Sequence, residues 1–365
     1  MHKLVVGGTI LEHELSELRL LVERQAGLLL DCPNSALAAH VAEYLESRQL
    51  ESAAALLDGL RASDQDPIVL PQFLDGLLNM NTSFFRHPGA MNALARQVLP
   101  QLFARKSGDG PYALRIWSAG CATGEEAYSI AMAISDAVAA GNNANGAGNG
   151  NGNGNPAANR ASNGSNGKNG PTRNGGITDV PPSTPGEVAA QTARDWSIHI
   201  VGSDLLPAAI EVAERGLYPQ SALAGLPPAT IRSCFSKIGT PGAGASNGSS
   251  NGSGNGSGNG SANGSHLLVK PRLRSLVTFN TMNLVRPVYI GRFDCIFCMD
   301  VLPHLSRAQR TALLERLHLY LEPGGYLFLS QTEKLSAANL NFRPETFDGY
   351  TFHRKPLAAS AAYGR

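Results

Sequence analysis

No apolar run in this chain of 365 residues approaches the length of a membrane span. The short run from Leu4 to Leu11 is followed at once by Glu12 and Glu14 and has no small-residue cleavage site, so a secretory signal is not expected. An excess of one charge sign is also missing. Thirty Lys and Arg against 29 Asp and Glu leave a net charge of +1, which gives no electrostatic case for nucleic acid as an obligate partner. Cysteine is sparse, odd in number (5) and scattered, as expected of a reducing compartment. Cys295 and Cys298 form a C-x-x-C, but they sit in the apolar run FDCIFC, where strand alternation sends them to opposite faces. No second pair completes a zinc site, so both read as core thiols and no metal is expected.

What the chain has in excess is asparagine and glycine, confined to two tracts. About 141–185 is rich in Asn, Gly and Ala, and about 240–265 repeats Asn-Gly-Ser. Neither holds enough apolar surface to offset the entropy of ordering, and both are expected to be disordered loops. Outside them the chain divides in two. Residues 1–79 read as an all-helical N-terminal domain, with Leu11, Leu15, Leu18 and Val22 on one face, then Leu37, Val41 and Leu45, then Phe73, Leu74, Leu77 and Leu78. Asp66-Pro67 offers a start for the last of these helices.

From 80 to 365 strand and helix alternate. Strands are expected at Leu114–Ser118, Ile198–Ser203, Phe293–Cys298 and Tyr326–Ser330. Helices are expected at Ala90–Ala104, Glu125–Ala137, Pro207–Arg215 and Arg307–Leu321, with FDGYTFHRK as a closing strand. Such alternation predicts an α/β fold with a mostly parallel sheet covered by helices. Residues 217–279 interrupt it: GLPPATIRSCF reads as a short helix and LLVKPRLRSLVTF as β structure, together a small inserted β-subdomain around the second tract.

The stretch RIWSAGCATGEEAYSIAM, Arg115 to Met132, is an apolar strand, a tight turn with Gly120 and Gly124, and a helix opening on Glu125 and Glu126. This arrangement lets backbone approach a nucleotide-like ligand. Asp204 ends the next expected strand and can accept from both hydroxyls of a ribose. Met299 and Asp300 end a third strand, and in open parallel sheets ligands lie beyond such carboxyl ends. No Walker lysine follows the glycines, which disfavours a nucleoside triphosphate. On these residues alone, NAD and S-adenosylmethionine stay open.

TSFFR (Thr82 to Arg86), RIWSAGCATGEEAYSIAM, GSDLLPAAIEVAERGLYP, LAGLPPATIRSCF, VTFNTMNL and FDCIFCMDVL, in this order, resemble the CheR-type chemotaxis receptor methyltransferases. The resemblance implies a Rossmann-like methyltransferase sheet, S-adenosyl-L-methionine as cofactor, and methyl transfer to a glutamate side chain of a receptor's cytoplasmic domain, by a cytoplasmic protein. It implies cofactor contacts from Thr82, Arg86, Glu125, Asp204, Asn283 and Leu284, beside the crevice positions Gly120, Met299 and Asp300 read above. Glu125 would take the ligand's ammonium, while Glu126 reads as a first-turn acid favouring the helix dipole. Phe84 and Phe85 are expected to pack TSFFR on the core. A glutamate acceptor, with a pKa of about 4.3, is already ionised near neutral pH, so no Ser-His-Asp or Cys-His array is needed. The work is alignment with water excluded.

The chain departs from that family at several positions. Met80 stands where asparagine is usual, Met299-Asp300 replaces Arg-Asn, and His304 replaces a tyrosine. His304 is a candidate donor to the acceptor carboxylate, with Arg86 the other catalytic candidate, or it caps the next helix. Asp300 opposes an anionic substrate unless it is protonated or faces the cofactor. These changes leave two alternatives open: a regulatory or binding module that keeps the fold, and a methyltransferase with another acceptor.

Overall fold

The computed structural model describes residues 10–62, 69–78, 82–106, 113–146, 196–237, 266–286, 288, 290–335 and 340–357. The expected 240–265 tract, Asp66-Pro67, and Met80 with its flanking asparagines lie outside these residues, as does 147–185 of the other tract. Residues 141–146 of that tract belong instead to a helix.

Four helices come first: α1 (Glu12–Ala26), α2 (Asn34–Arg48), α3 (Ala53–Ala62) and α4 (Val69–Leu74). The Leu11 N–H donates to Glu14 Oε2 at 2.8 Å, which satisfies one orphan amide at the start of α1. Leu15, Leu18 and Val22 are buried as their spacing predicts, but Leu11 is 48% exposed because it precedes the first turn. Phe73 and Leu74 are buried, whereas Leu77 and Leu78 fall in the turn beyond α4 and are only half-buried. This core continues into Leu206 and Ala209, so the helices pack directly on the start of the helix Pro207–Arg215.

The strands in chain order are β1 (Ala113–Ala119), β2 (Ser197–Asp204), β3 (Leu217–Pro219), β4 (Phe235–Lys237), β5 (His266–Val269), β6 (Val277–Thr281), β7 (Phe293–Phe297), β8 (Leu321–Phe328), β9 (Arg343–Phe347) and β10 (Tyr350–Arg354). Seven form one sheet in the order β6-β2-β1-β7-β8-β10-β9. From β6 to β8 all neighbours are parallel, and β10 is antiparallel to β8 and β9. Strand order reverses between β1 and β7, which is the switch point where doubly wound sheets open a crevice. This is a Rossmann-like α/β fold.

Two expectations change. The segment read as one inserted β unit splits, because Lys270-Pro271 opens a short helix (Pro271–Arg274) after β5. Its last strand, β6, then pairs with β2 from Val277 against Ile200, so only β3, β5 and β4 form a separate antiparallel sheet. The strand expected from Tyr326 starts earlier, at Leu321, so Gly324 and Gly325 lie inside β8. There the Gly324 N–H donates to the Lys355 carbonyl at 2.9 Å, and the Lys355 N–H to the Gly325 carbonyl at 2.8 Å. The closing strand is a hairpin, with Asp348 (φ 48°) and Gly349 (φ 78°) supplying the two left-handed turn residues.

Helix α5 (Pro88–Ala93) continues through a π turn into α6 (Leu99–Lys106), and α7 (Glu125–Gly146) follows β1. Cys295 and Cys298 are fully buried and belong to the cores on opposite faces of the sheet. Among the described residues no group of His, Cys, Asp and Glu could hold a metal ion, and no helix is long and apolar enough to cross a membrane. One buried charge ties the sheet to α6. Asp294, 2% exposed in its side chain, lies 2.6 Å from Lys106 Nζ through Oδ1. Its Oδ2 accepts from the same ammonium at 2.7 Å and from the Arg115 N–H at 3.0 Å.

Candidate active site

A cavity of about 410 Å³ opens beyond the carboxyl ends of β1, β2 and β7. Its size suits a small-molecule ligand. Thr82, Arg86, Gly120, Asp204, Asn283, Leu284, Met299, Asp300 and His304 all line it. Glu125 does not. It is buried, and Thr123 Oγ1 donates to its Oε2 at 2.7 Å. Its neighbour Glu126 lines the cavity instead and accepts from Ser118 Oγ at 2.6 Å. Consecutive helical residues point about 100° apart, so the two carboxylates leave the helix in different directions. Of the two, Glu126 rather than the expected Glu125 borders the cavity.

Gly120 turns the chain at the end of β1 with φ +81°, and a Cβ there would stand 2.6 Å from Val301 Cγ2. Its bare backbone is thus a wall of the cleft. Asp204 Oδ2 accepts from the Ala122 N–H at 2.9 Å and Oδ1 from the Leu206 N–H at 3.0 Å. Each carboxylate oxygen retains a lone pair for a ligand hydroxyl. Burial pushes the Asp204 carboxyl above its ordinary value, and the amides of Leu206, Ala122 and Leu205 draw it back. Burial raises Glu126 further, to about 7, against the Ser118 hydrogen bond. Asp300 and Glu333 add to the rise, and Arg86 opposes it.

Arg86 and Asp300 meet. Arg86 Nε is 3.1 Å from Asp300 Oδ2, and His87 Nε2 is 3.0 Å from the same oxygen. His87, which no sequence motif singles out, also lines the cavity. Glu333 is equally unannounced in the sequence, and its Oε2 accepts from the amides of Ser330 at 2.8 Å and Asp300 at 3.2 Å. Its Oε1 accepts from the Leu302 N–H at 2.9 Å, so one buried carboxylate fixes the loop after β7. Phe84 packs as expected, edge-on to Tyr218 and Phe235. Phe85 is only partly committed to the core. With φ 53° it turns to line the cavity, and its N–H donates to Ser129 Oγ at 2.9 Å.

The remaining wall comes from the N-terminal helices, through Ala26 and Leu28. The loop after α1 is clasped to the loop carrying His304. The Leu29 N–H donates to the His304 carbonyl at 2.8 Å, and the Ser306 N–H to the Gly27 carbonyl at 3.3 Å. The Asn283 amide is used here too: Nδ2 donates to the Gln25 carbonyl at 2.8 Å, and Oδ1 accepts from the Val285 N–H at 3.1 Å. His304 is exposed at the mouth and closes a single 3-10 turn rather than starting the next helix.

These residues fit a sulfonium nucleoside. Gly120 borders the cavity, Asp204 offers oxygens to a ribose, Glu126 is a carboxylate for a cationic end, and Leu206, Leu284 and Val285 give an apolar bed for a base. The CheR methyltransferase, SAM binding domain family matches residues 80–146 and 259–350. Chemotaxis protein methyltransferase 1 of Pseudomonas aeruginosa is 26% identical over 87% of this chain and 89% of its own. Chemotaxis protein methyltransferase Cher2 of Pseudomonas putida is 25% identical over 88% and 90%. Among solved structures, the glycopeptide N-methyltransferase MtfA with S-adenosyl-L-methionine is 12% identical over 76% of this chain and 70% of its own, at a TM-score of 0.25. At that score the likeness carries no argument, and the fold rests on the strand order. The chain carries the SAM-binding domain of the CheR methyltransferases and is an S-adenosylmethionine-dependent methyltransferase of that type.

Proposed function

We propose that this protein methylates a glutamate side chain in the cytoplasmic domain of a chemotaxis-type receptor, acting in the cytoplasm. The observation that carries this reading is the meeting of Thr82, Arg86, Gly120, Asp204, Asn283, Leu284, Met299, Asp300 and His304 around one cleft at the switch point. The names of the relatives support the receptor as partner. S-adenosylmethionine, when bound, supplies an electrophilic methyl group. Asp204 accepts from the ribose, and Gly120 borders the nucleoside. Glu126 holds the ammonium. Thr82 and Arg86 border the methionine end, Asn283 and Leu284 the base, and Met299 the floor. Asp300 holds Arg86 and His87 beside the transfer position, and Arg86 softens the charge of Asp300 toward an incoming anion. His304 donates to that anion at the mouth. The reaction neutralises an anion and a sulfonium, so a cleft walled by Ala26, Leu28 and Leu206 favours it by keeping water out.

The test is transfer of radiolabelled methyl to receptor cytoplasmic fragments. Alkali-labile label that disappears when the acceptor glutamates become alanine is the expected result. Cofactor binding without alkali-labile label would overturn the reading.

Glu126 makes the cofactor site pH-dependent. Its pKa of about 7 in the free protein must fall when a cation pairs with it, so binding expels a proton. Affinity for S-adenosylhomocysteine is therefore expected to rise with pH up to about 7 and level off above, with a slope approaching about tenfold per unit on the acidic side. Glu126→Gln should flatten the profile, and calorimetry in buffers of different ionisation enthalpy should count the proton. The folding linkage runs the other way. A carboxyl raised from 4.5 to about 7 by burial costs the free protein stability as pH climbs through that window.

A further inference from the structure

We propose that the cleft contains a general base, His87 oriented by Asp300, and that the protein therefore also methylates acceptors that must lose a proton, namely neutral hydroxyls or amines. This goes beyond glutamate methylation and does not rest on it. An ionised carboxylate brings no proton to remove, so a base in this cleft has no task in that reaction. The structure nevertheless contains one.

The geometry fixes the tautomer. Asp300 Oδ2 lies 3.1 Å from Arg86 Nε, a group that can only donate. An oxygen accepting from a guanidinium in an ion pair also accepts from His87 Nε2 at 3.0 Å, so that nitrogen carries the hydrogen. Neutral His87 then keeps its lone pair on Nδ1, which has no hydrogen-bond partner among the described residues. The side chain is 21% exposed and borders the cavity, so the ring is open to a ligand there. Asp300 is not free to swing away. Its backbone is left-handed at φ 58°, and its N–H is held by Glu333 together with those of Leu302 and Ser330. A carboxylate that orients an imidazole and stabilises its protonated form is the general arrangement for activating a weak nucleophile.

The step balances without a further reactant. A lone pair on the acceptor oxygen or nitrogen forms the new bond to the methyl carbon. The carbon–sulfur bond breaks, and its electrons stay on sulfur as a thioether. The acceptor proton passes to His87 Nδ1, and the imidazolium keeps its Nε2–H on Asp300. His87 is the catalytic residue in this scheme, and Asp300 is a positioning residue.

The experiment uses the full chain with methyl-labelled S-adenosylmethionine and synthetic peptides carrying single serine, tyrosine, lysine or glutamate acceptors. Alkali separates esters from ethers and methylamines. The proposal expects alkali-stable label on at least one of the serine, tyrosine or lysine peptides, reduced at least 30-fold by His87→Gln. Nitrogen-15 NMR of the unmodified protein should report the Nε2-protonated tautomer at His87, and Asp300→Ala should give a mixture. Label confined to alkali-labile ester, stable label indifferent to His87→Gln, or an Nδ1-protonated ring overturns it. Ester formation on the glutamate peptide reports on the receptor reading separately, so either proposal can fail alone.

Discussion

Asp204→Ala lowers affinity for S-adenosylhomocysteine at least tenfold. Two losses combine. A ligand hydroxyl loses a charged acceptor, worth about 1.5–3 kcal/mol, or roughly ten- to 150-fold in affinity. The amides of Ala122 and Leu206 lose the oxygens that hold the turn after β1 and the start of the helix Pro207–Arg215 in place. Asp204→Asn separates the two, because its carboxamide oxygen replaces one acceptor and removes the charge. Its affinity should fall between the others by calorimetry. An affinity in Asp204→Ala equal to that of the unmodified protein would remove this residue from the nucleoside site.

The second large effect lies far from the cleft. Lys106→Met should destabilise the fold by about 3 kcal/mol in a denaturant titration, at the low end of what breaking a buried ion pair costs, because the lysine is partly exposed. Asp294 would remain buried with Arg105 Nη2 4.0 Å away as its nearest cation. The cost is the stranded charge, not the lost attraction. Adding Asp294→Asn removes that charge and keeps an acceptor for the Arg115 N–H, so the double variant should recover more than half of the loss. A double variant as unstable as Lys106→Met would refute this account.

Where local chemistry decides, the chain was readable. Pro207 at the first turn and Gly216 just past the end, with φ 60°, delimit their helix to the residue. The alternation of apolar residues placed β1, β2 and β7, and those strands brought Gly120, Asp204 and Asp300 to one edge. Choices between neighbours were not readable. Glu125 and Glu126 are equally acidic and adjacent, and only the rotation of α7 against the sheet decides which enters the cleft. The pairing of His87 with Asp300 spans 213 positions, and nothing local at either residue announces it. β6 reads as an ordinary strand, and its membership of the large sheet depends on where Pro271 breaks the chain.

The clasp between the α1–α2 loop and the loop carrying His304 bears on how cargo enters and leaves. Ala26 and Leu28 wall the chamber, and the hydrogen bonds that hold that wall also hold the doorway residue. Swinging the helical cap aside to admit a nucleoside would undo the entrance in the same motion. Any displacement of that wall therefore disturbs the threshold as well.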